Sequence, residues 1–335
     1  MKPDPSIKFL IDPENNPAPE SWDDFERLIN HHRYFHNLER VFRKCADEIP
    51  PEIKNRLKET YKTQLQNQLL LANELQLISR ILNREKVVYL NLKGIGLALQ
   101  LYGKITERFT RDIDFVISEE EIDRALDLFH ASGYKIIKNE THISPGIFRK
   151  IKKNQTLIHP EKRIIAELHW ELFSNRYFYS FGDKLMKEPQ TIDLNGISIK
   201  NMNRENAFIY LCLHGAYHEY FRLFWLRDIA KILQEWDLNW QKIIVRATEE
   251  DILRVIASSA ILAGKLYNLT TPFDSFAKDP KIRWLVDHTI SVINRSSLPS
   301  PKDRIKRIVY FLTLKRSWKY KIECVTGIGK RYWIR

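Results

Sequence analysis

Residues 108–117 read RFTRDIDFVI. From Asp112 to Ile117 acidic and apolar side chains alternate, as in a strand whose two faces meet different surroundings. Residues two apart on a strand share a face, so Asp112 and Asp114 bring both carboxylates to one location. Ile113, Phe115 and Ile117 take the other face, toward a core that holds the pair rigidly. Two ionised carboxylates so close repel each other unless a cation bridges them. Magnesium, which prefers oxygen ligands, is the natural bridge. An Asp-x-Asp alone is common, and read by itself the pair is a solvated strand edge.

The neighbours change that reading. Upstream, Val87–Leu92 is a short β-type run that ends at Lys93-Gly94, and Ile95–Leu101 continues as an apolar helical stretch. Backbone amides at a helix start, with Gly94 allowing close approach and Lys93 adding charge, make a phosphate cradle. Downstream, the strand Ile164–Trp170 places Glu167 and His169 on one face, opposite Ala166, Leu168 and Trp170. Glu167 then supplies a third carboxylate. Arg108 and Arg111, just ahead of the acidic pair, are placed to neutralise phosphate charge. Glu119–Ser132 reads as an amphipathic helix, with Ser118 as N-cap and Gly133 past its end. Tyr134–Ile137 and Gln155–Ile158 are weaker strands, and Asn195-Gly196 is a hairpin turn between Ile192 and Ile199.

Helical patterns lie on both sides of this segment. Residues 1–20 hold five Pro and read as an irregular arm. Ser21 then caps a helix carrying Trp22, Phe25 and Leu28. Pro51–Asn83 is the longest helical pattern, with Leu57, Tyr61, Leu65, Leu69, Leu70, Leu75, Ile78 and Leu82 marking one face. From Asn203 six further helical segments follow, the last over Pro301–Trp318. The expected organisation is α+β: an N-terminal arm and helical layer (1–85), an α/β core with a mixed sheet (86–200), a helical domain (201–300), and a basic C-terminal helix and tail (301–335).

The chain has 335 residues, with 54 Lys+Arg against 42 Asp+Glu for a formal charge of +12. At roughly 150 residues per domain this length suggests about two domains. The apolar fraction of 44% and charged fraction of 29% exclude wholesale disorder. Cys45, Cys212 and Cys324 form no CxxC pair, which excludes a disulfide framework and fits a reducing cytoplasm. The N-terminus lacks an apolar h-region, so no signal peptide is expected. Phe208–Leu226 is interrupted by His214, His218, Glu219 and Arg222, so neither a bilayer span nor a membrane partner is expected. The charge is uneven. Ser300–Arg335 holds 11 Lys/Arg and 2 Asp/Glu, a net +9, while the remainder of the chain nets only +3. Lys135–Arg163 is a second basic stretch, with 8 Lys/Arg against 2 Glu. Such clusters attract phosphate-rich partners such as RNA, or serve only as solubilising surface.

Several motifs fail on inspection. Gly94-Ile95-Gly96 lacks a third Gly at Leu99, so the dinucleotide fingerprint is absent. Gly327-Ile328-Gly329-Lys330 lacks the leading Gly and the Ser/Thr of a P-loop, and precedes no clear helix. His214 and His218 lie four apart on one helical face, a metal-pair spacing. With no Glu after His214 they read as packing or hydrogen-bonding residues.

The combination resembles the DNA polymerase β-like nucleotidyltransferase superfamily, and more closely a bacterial family of uncharacterised nucleotidyltransferases. The matching motifs, spread over residues 65–265, begin with Leu92-Lys93-Gly94. Arg108, separated by three residues from Asp112-Ile113-Asp114, is the second. Glu167-Leu168-His169-Trp170 is the third, and Leu213-His214, His218 and Trp225–Ala230 complete the set. The superfamily's Gly-Ser is replaced by Lys93-Gly94, and its usual third Asp by Glu167.

The resemblance implies two-metal nucleotidyl transfer with Mg2+, for which Mn2+ is a possible substitute. Asp112, Asp114 and Glu167 would hold the metal and do the chemistry. Lys93, Gly94, Arg108, Arg111 and His169 would bind the NTP. The implied acceptor is a hydroxyl on a peptide, sugar or small molecule, or on RNA recruited by the basic tail. The rival expectation is a non-catalytic module that keeps the fold and binds nucleotide or RNA.

Overall fold

The computed structural model describes residues 1–137, 152–175, 177–180, 185–295 and 301–332, with side chains in the last stretch described for 303–326. Part of the basic stretch Lys135–Arg163 and the end of the basic tail therefore lie outside the described residues. The chain forms two compact units, one from Lys62–Asn206 and one from Met1–Tyr61 with Ala207–Arg335.

The Lys62–Asn206 unit is α+β. Its strands are β1 (Tyr89–Asn91), β2 (Asp112–Ile117), β3 (Lys135–Ile136), β4 (Asn154–His159), β5 (Ile164–His169), β6 (Gln190–Leu194) and β7 (Ile197–Asn201). They form one mixed sheet in the order β3-β4-β5-β2-β1-β7-β6. β2 runs antiparallel to β1 and parallel to β5. The alternation that marks β2 in the sequence is realised, since Ile113, Phe115 and Ile117 are all buried. They share a core with Tyr89, Phe129 and Leu168 of the same unit. The carboxylates take the other face. In the parallel pairing Asp114 stands opposite Glu167, and Val116 opposite His169. Asn195 and Gly196 both have positive φ, +52° and +80°, the backbone that a two-residue hairpin turn between β6 and β7 requires.

Helices α1 (Pro5–Ile11), α2 (Trp22–His32), α3 (Leu38–Lys44) and α4 (Pro51–Arg84) precede the sheet, and α5 (Gly94–Tyr102) and α6 (Ile122–Ala131) lie within it in sequence. In α4, Leu71, Leu75, Ile78 and Leu82 reach the α/β core. Leu69 and Leu70, expected on that face, are exposed. Gln68 takes the buried position instead, because its amide pairs with both the N–H and the C=O of Thr110. Those two hydrogen bonds anchor the turn leading into β2. On α5, a Cβ at Gly96 would lie 2.2 Å from Asn91 Oδ1 and 2.4 Å from Asn201 Oδ1. Only glycine lets the helix lie this close to β1 and β7.

In the other unit, the expected irregular arm contains α1. Asp4 accepts the Ser6 N–H, Pro5 occupies the first turn, and Ile7, Phe9 and Leu10 are buried. Ser21 caps α2 as expected, accepting the Asp24 N–H. Beyond the sheet come α7 (Arg204–Tyr217), α8 (Phe224–Glu235), α9 (Trp240–Glu249), α10 (Leu253–Tyr267), α11 (Pro280–Ile293), α12 (Pro301–Leu314) and α13 (Trp318–Tyr332). The helix expected over Pro301–Trp318 ends at Leu314, and a second helix, α13, occupies the region expected as tail. The chain turns at Lys315–Ser317, where the Asp251 carboxylate accepts the backbone N–H groups of Arg316 and Ser317. Gly327 and Gly329 lie within α13. Among the described residues no helix is long and apolar enough to cross a membrane.

Candidate active site

Asp114 is the buried centre of a polar cluster on the carboxylate face of β2, with its side chain 1% exposed. Lys93, between β1 and α5, brings Nζ to 2.7 Å from Asp114 Oδ2 and 3.9 Å from Asp112 Oδ1. The Lys93 ammonium is thus the close ion-pair partner of the buried Oδ2 oxygen. From β5, His169 Nε2 lies 3.3 Å from Asp114 Oδ1 and 3.1 Å from Glu167 Oε2. Asn154, on β4, donates to Glu167 Oε2 at 3.0 Å. Asp112 is more open, its side chain 32% exposed. The Thr110 hydroxyl donates to its Oδ1 at 3.2 Å.

The charges are strongly coupled. Burial would raise the Asp114 pKa, but Lys93 and His169 outweigh it and hold the carboxyl well below the usual range. Asp112 is pushed up, first by burial and then by the like charge of Asp114. Glu167 is lowered, chiefly by its hydrogen bond with His169. Burial opposes the imidazolium form of His169, yet the bonds to Asp114 and Glu167 raise its pKa overall. Lys93 and His169 thus offset part of the charge of the three acids.

The structure brings together Asp112, Asp114, Glu167, Lys93 and His169, and it places Gly94 at the start of α5 with φ +68°, a backbone that favours glycine. Arg108 is buried at the end of the 3₁₀ turn Ile105–Glu107, and Arg111 is exposed one residue before β2. Lys93, read from sequence as a phosphate ligand, sits against the acids. Asp114, Glu167 and His169 each offer a ligand atom within 4.8 Å of the others. Two carboxylates and an imidazole are a donor set that fits a divalent cation. Among the described residues they are the one such group. Asp112 lies beside this triad.

Sequence reasoning missed Thr110, Asn154 and Gln68, whose roles depend on which strands and turns become neighbours. In the other unit, the His214 and His218 rings pack on Trp225, with centroids 5.3 and 5.4 Å away.

A lysine at a strand-to-helix turn facing clustered acids suits phosphate chemistry. Residues 18–268 match the family described as uncharacterised nucleotidyltransferase, and the chain belongs to that family. No curated protein matches the chain. Among solved structures, an antigenic nucleotidyltransferase-like protein from Paracoccidioides brasiliensis aligns at 17% identity and a TM-score of 0.35, covering 62% of this chain and 97% of that one.

Proposed function

We propose that the protein is a magnesium-dependent nucleotidyltransferase, with manganese able to substitute. It joins a nucleoside monophosphate from an NTP to an acceptor hydroxyl. The observation that carries this reading is the convergence of Asp112 and Asp114 from β2 with Glu167 and His169 from β5, beside Lys93 at the start of α5. Asp114, Glu167 and His169 would hold a cation, with Asp112 adjoining. The bound metal supplies charge neutralisation for the triphosphate and for departing pyrophosphate. The acceptor oxygen forms a bond to the α-phosphorus, and the bond from that phosphorus to the bridging oxygen breaks to release pyrophosphate. The hydroxyl proton passes to a carboxylate of the cluster. Asp112 and Glu167, the partly exposed members, are the ones an acceptor reaches.

Lys93, the Gly94 amide, Arg108 and Arg111 orient the phosphates, and holding them in line is most of what this reaction demands. His169 keeps Asp114 and Glu167 in fixed relative positions. The acceptor hydroxyl belongs to a peptide, sugar or small molecule. RNA is the second reading, favoured by 11 Lys/Arg against 2 Asp/Glu in Ser300–Arg335.

The test is pyrophosphate release with each NTP, Mg2+ and candidate acceptors. Asp112→Ala and Asp114→Ala are expected to lower the rate by at least about 10²-fold. Activity that survives both changes refutes the mechanism. Nucleotide or RNA binding with no transfer to any acceptor supports a non-catalytic binding module instead.

A further inference from the structure

Helix α13 carries two apolar faces. One is buried: Tyr320 and Cys324 pack inward, and the Tyr320 hydroxyl donates to the Phe311 carbonyl. The other faces solvent, with Trp318 66%, Ile322 54% and Val325 58% exposed. Their spacing of four and then three residues sets them in one stripe along the helix. Lys319 and Lys321 flank that stripe on either side. Helix α12 repeats the arrangement. It buries Tyr310 and Leu314 and exposes Ile305 (64%) and Val309 (43%), next to Arg304 and Lys306. Single exposed apolar residues are ordinary, but ones aligned along a helix, as on each of these two, mark contact surface.

We infer that α12 and α13 dock the protein on an anionic lipid surface. Charge selects the partner's sign. Between residues 303 and 326 there are seven Lys/Arg against Asp303 and Glu323. Arg307 is engaged by Glu219 and Lys315 is buried. Lys306, Arg316, Lys319 and Lys321 lie at or near the surface. The apolar stripe selects the partner's class. RNA offers phosphates but no apolar phase for Ile305, Ile322 and Val325. A bilayer interface offers both, with phosphate headgroups above an acyl boundary, and Trp is the aromatic that sits best there. Lysine stems lie along such a boundary while their ammonium groups stay in water.

The helix lies on the membrane and does not span it. Fifteen residues rise about 22 Å, short of a hydrocarbon core of roughly 30 Å. Nothing in this inference depends on the proposed transfer reaction.

Co-sedimentation of the full chain with vesicles tests it. Binding is expected to vesicles containing phosphatidylglycerol and to be weak for phosphatidylcholine alone, and salt should reduce it. The double change Trp318→Ser and Ile322→Ser is expected to weaken binding roughly tenfold. Lys319→Glu with Lys321→Glu is expected to abolish the preference for anionic lipid. All four side chains lie at or near the surface, so the unfolding midpoint should stay put and report that the variants fold. Failure of the unaltered protein to bind anionic vesicles overturns the inference, as does full binding by the Trp318/Ile322 variant. Single-stranded RNA binding or self-association lost in that variant, without vesicle binding, reassigns the face to RNA or to a second copy.

Discussion

At the residue scale, the unusual member of the cluster is His169. An imidazole between two carboxylates is driven toward its charged form even though it is buried. Its folded pKa is raised above the unfolded value of about 6.5. A raised pKa contributes stability that is fully present below the unfolded value and is lost as pH climbs through the folded one. Thermal unfolding without divalent metal should therefore show a midpoint that falls as pH is raised from about 6.5 upward. His169→Gln should flatten that fall, and an unchanged slope would place the titrating group elsewhere. Asp114 acts in the opposite sense. Its lowered pKa contributes stability above the unfolded carboxyl value, and that contribution is lost in strong acid.

At the scale of the element, the contact between α5 and the sheet is the tightest constraint near the cluster. Gly96 faces two buried amides, Asn91 and Asn201, on the paired strands β1 and β7. Asn91 Nδ2 donates to the Asp114 carbonyl, so displacing it disturbs β2 itself. Gly96→Ala should destabilise the fold by about 1–3 kcal/mol, the usual cost of overpacking, read as a lower denaturation midpoint. A neutral result would mean that both amides yield without cost.

Much at this scale was legible in the sequence. β2 begins and ends where its alternation does, Asn195-Gly196 forms the turn its composition implies, and Ser21 caps a helix. Helix α1 was hidden by prolines, although Asp4-Pro5 is itself a start signal. The partners of β2 were not legible, because periodicity states which way a side chain points and is silent on which strand lies beside it. For that reason Glu167 was found as an acid, while the His169–Asp114 contact and the Lys93 ion pair were not foreseen. Gln68 carries no signal of its own in the sequence, and its bonds to Thr110 appear only once α4 and the β2 turn are neighbours.

For the whole molecule, most of the +12 charge and the proposed site occupy different places. The acidic cluster lies within Lys62–Asn206, and the basic helices α12 and α13 belong to the other compact unit. A ligand that binds only the folded cluster stabilises what it touches, by about 2.7 kcal/mol at a hundredfold excess over its Kd. Hydrogen exchange with saturating Mn2+ should therefore slow in the amides of β2 and β5 and leave α8, α10 and α11 unchanged. Uniform slowing across both units would show that they unfold as one.

The pairing of Asp114 with Glu167 makes the proposed chemistry depend on the alignment of two parallel strands that are far apart in sequence. Changes in the length of the chain joining Ile117 to Ile164 are expected to matter little to the proposed reaction, provided that alignment returns. A single residue inserted inside either strand would turn one set of acids into the apolar interior and leave hydrocarbon where they stood. Sequence drift in this protein is therefore expected to be permissive by length in the connections and intolerant by parity in the strands.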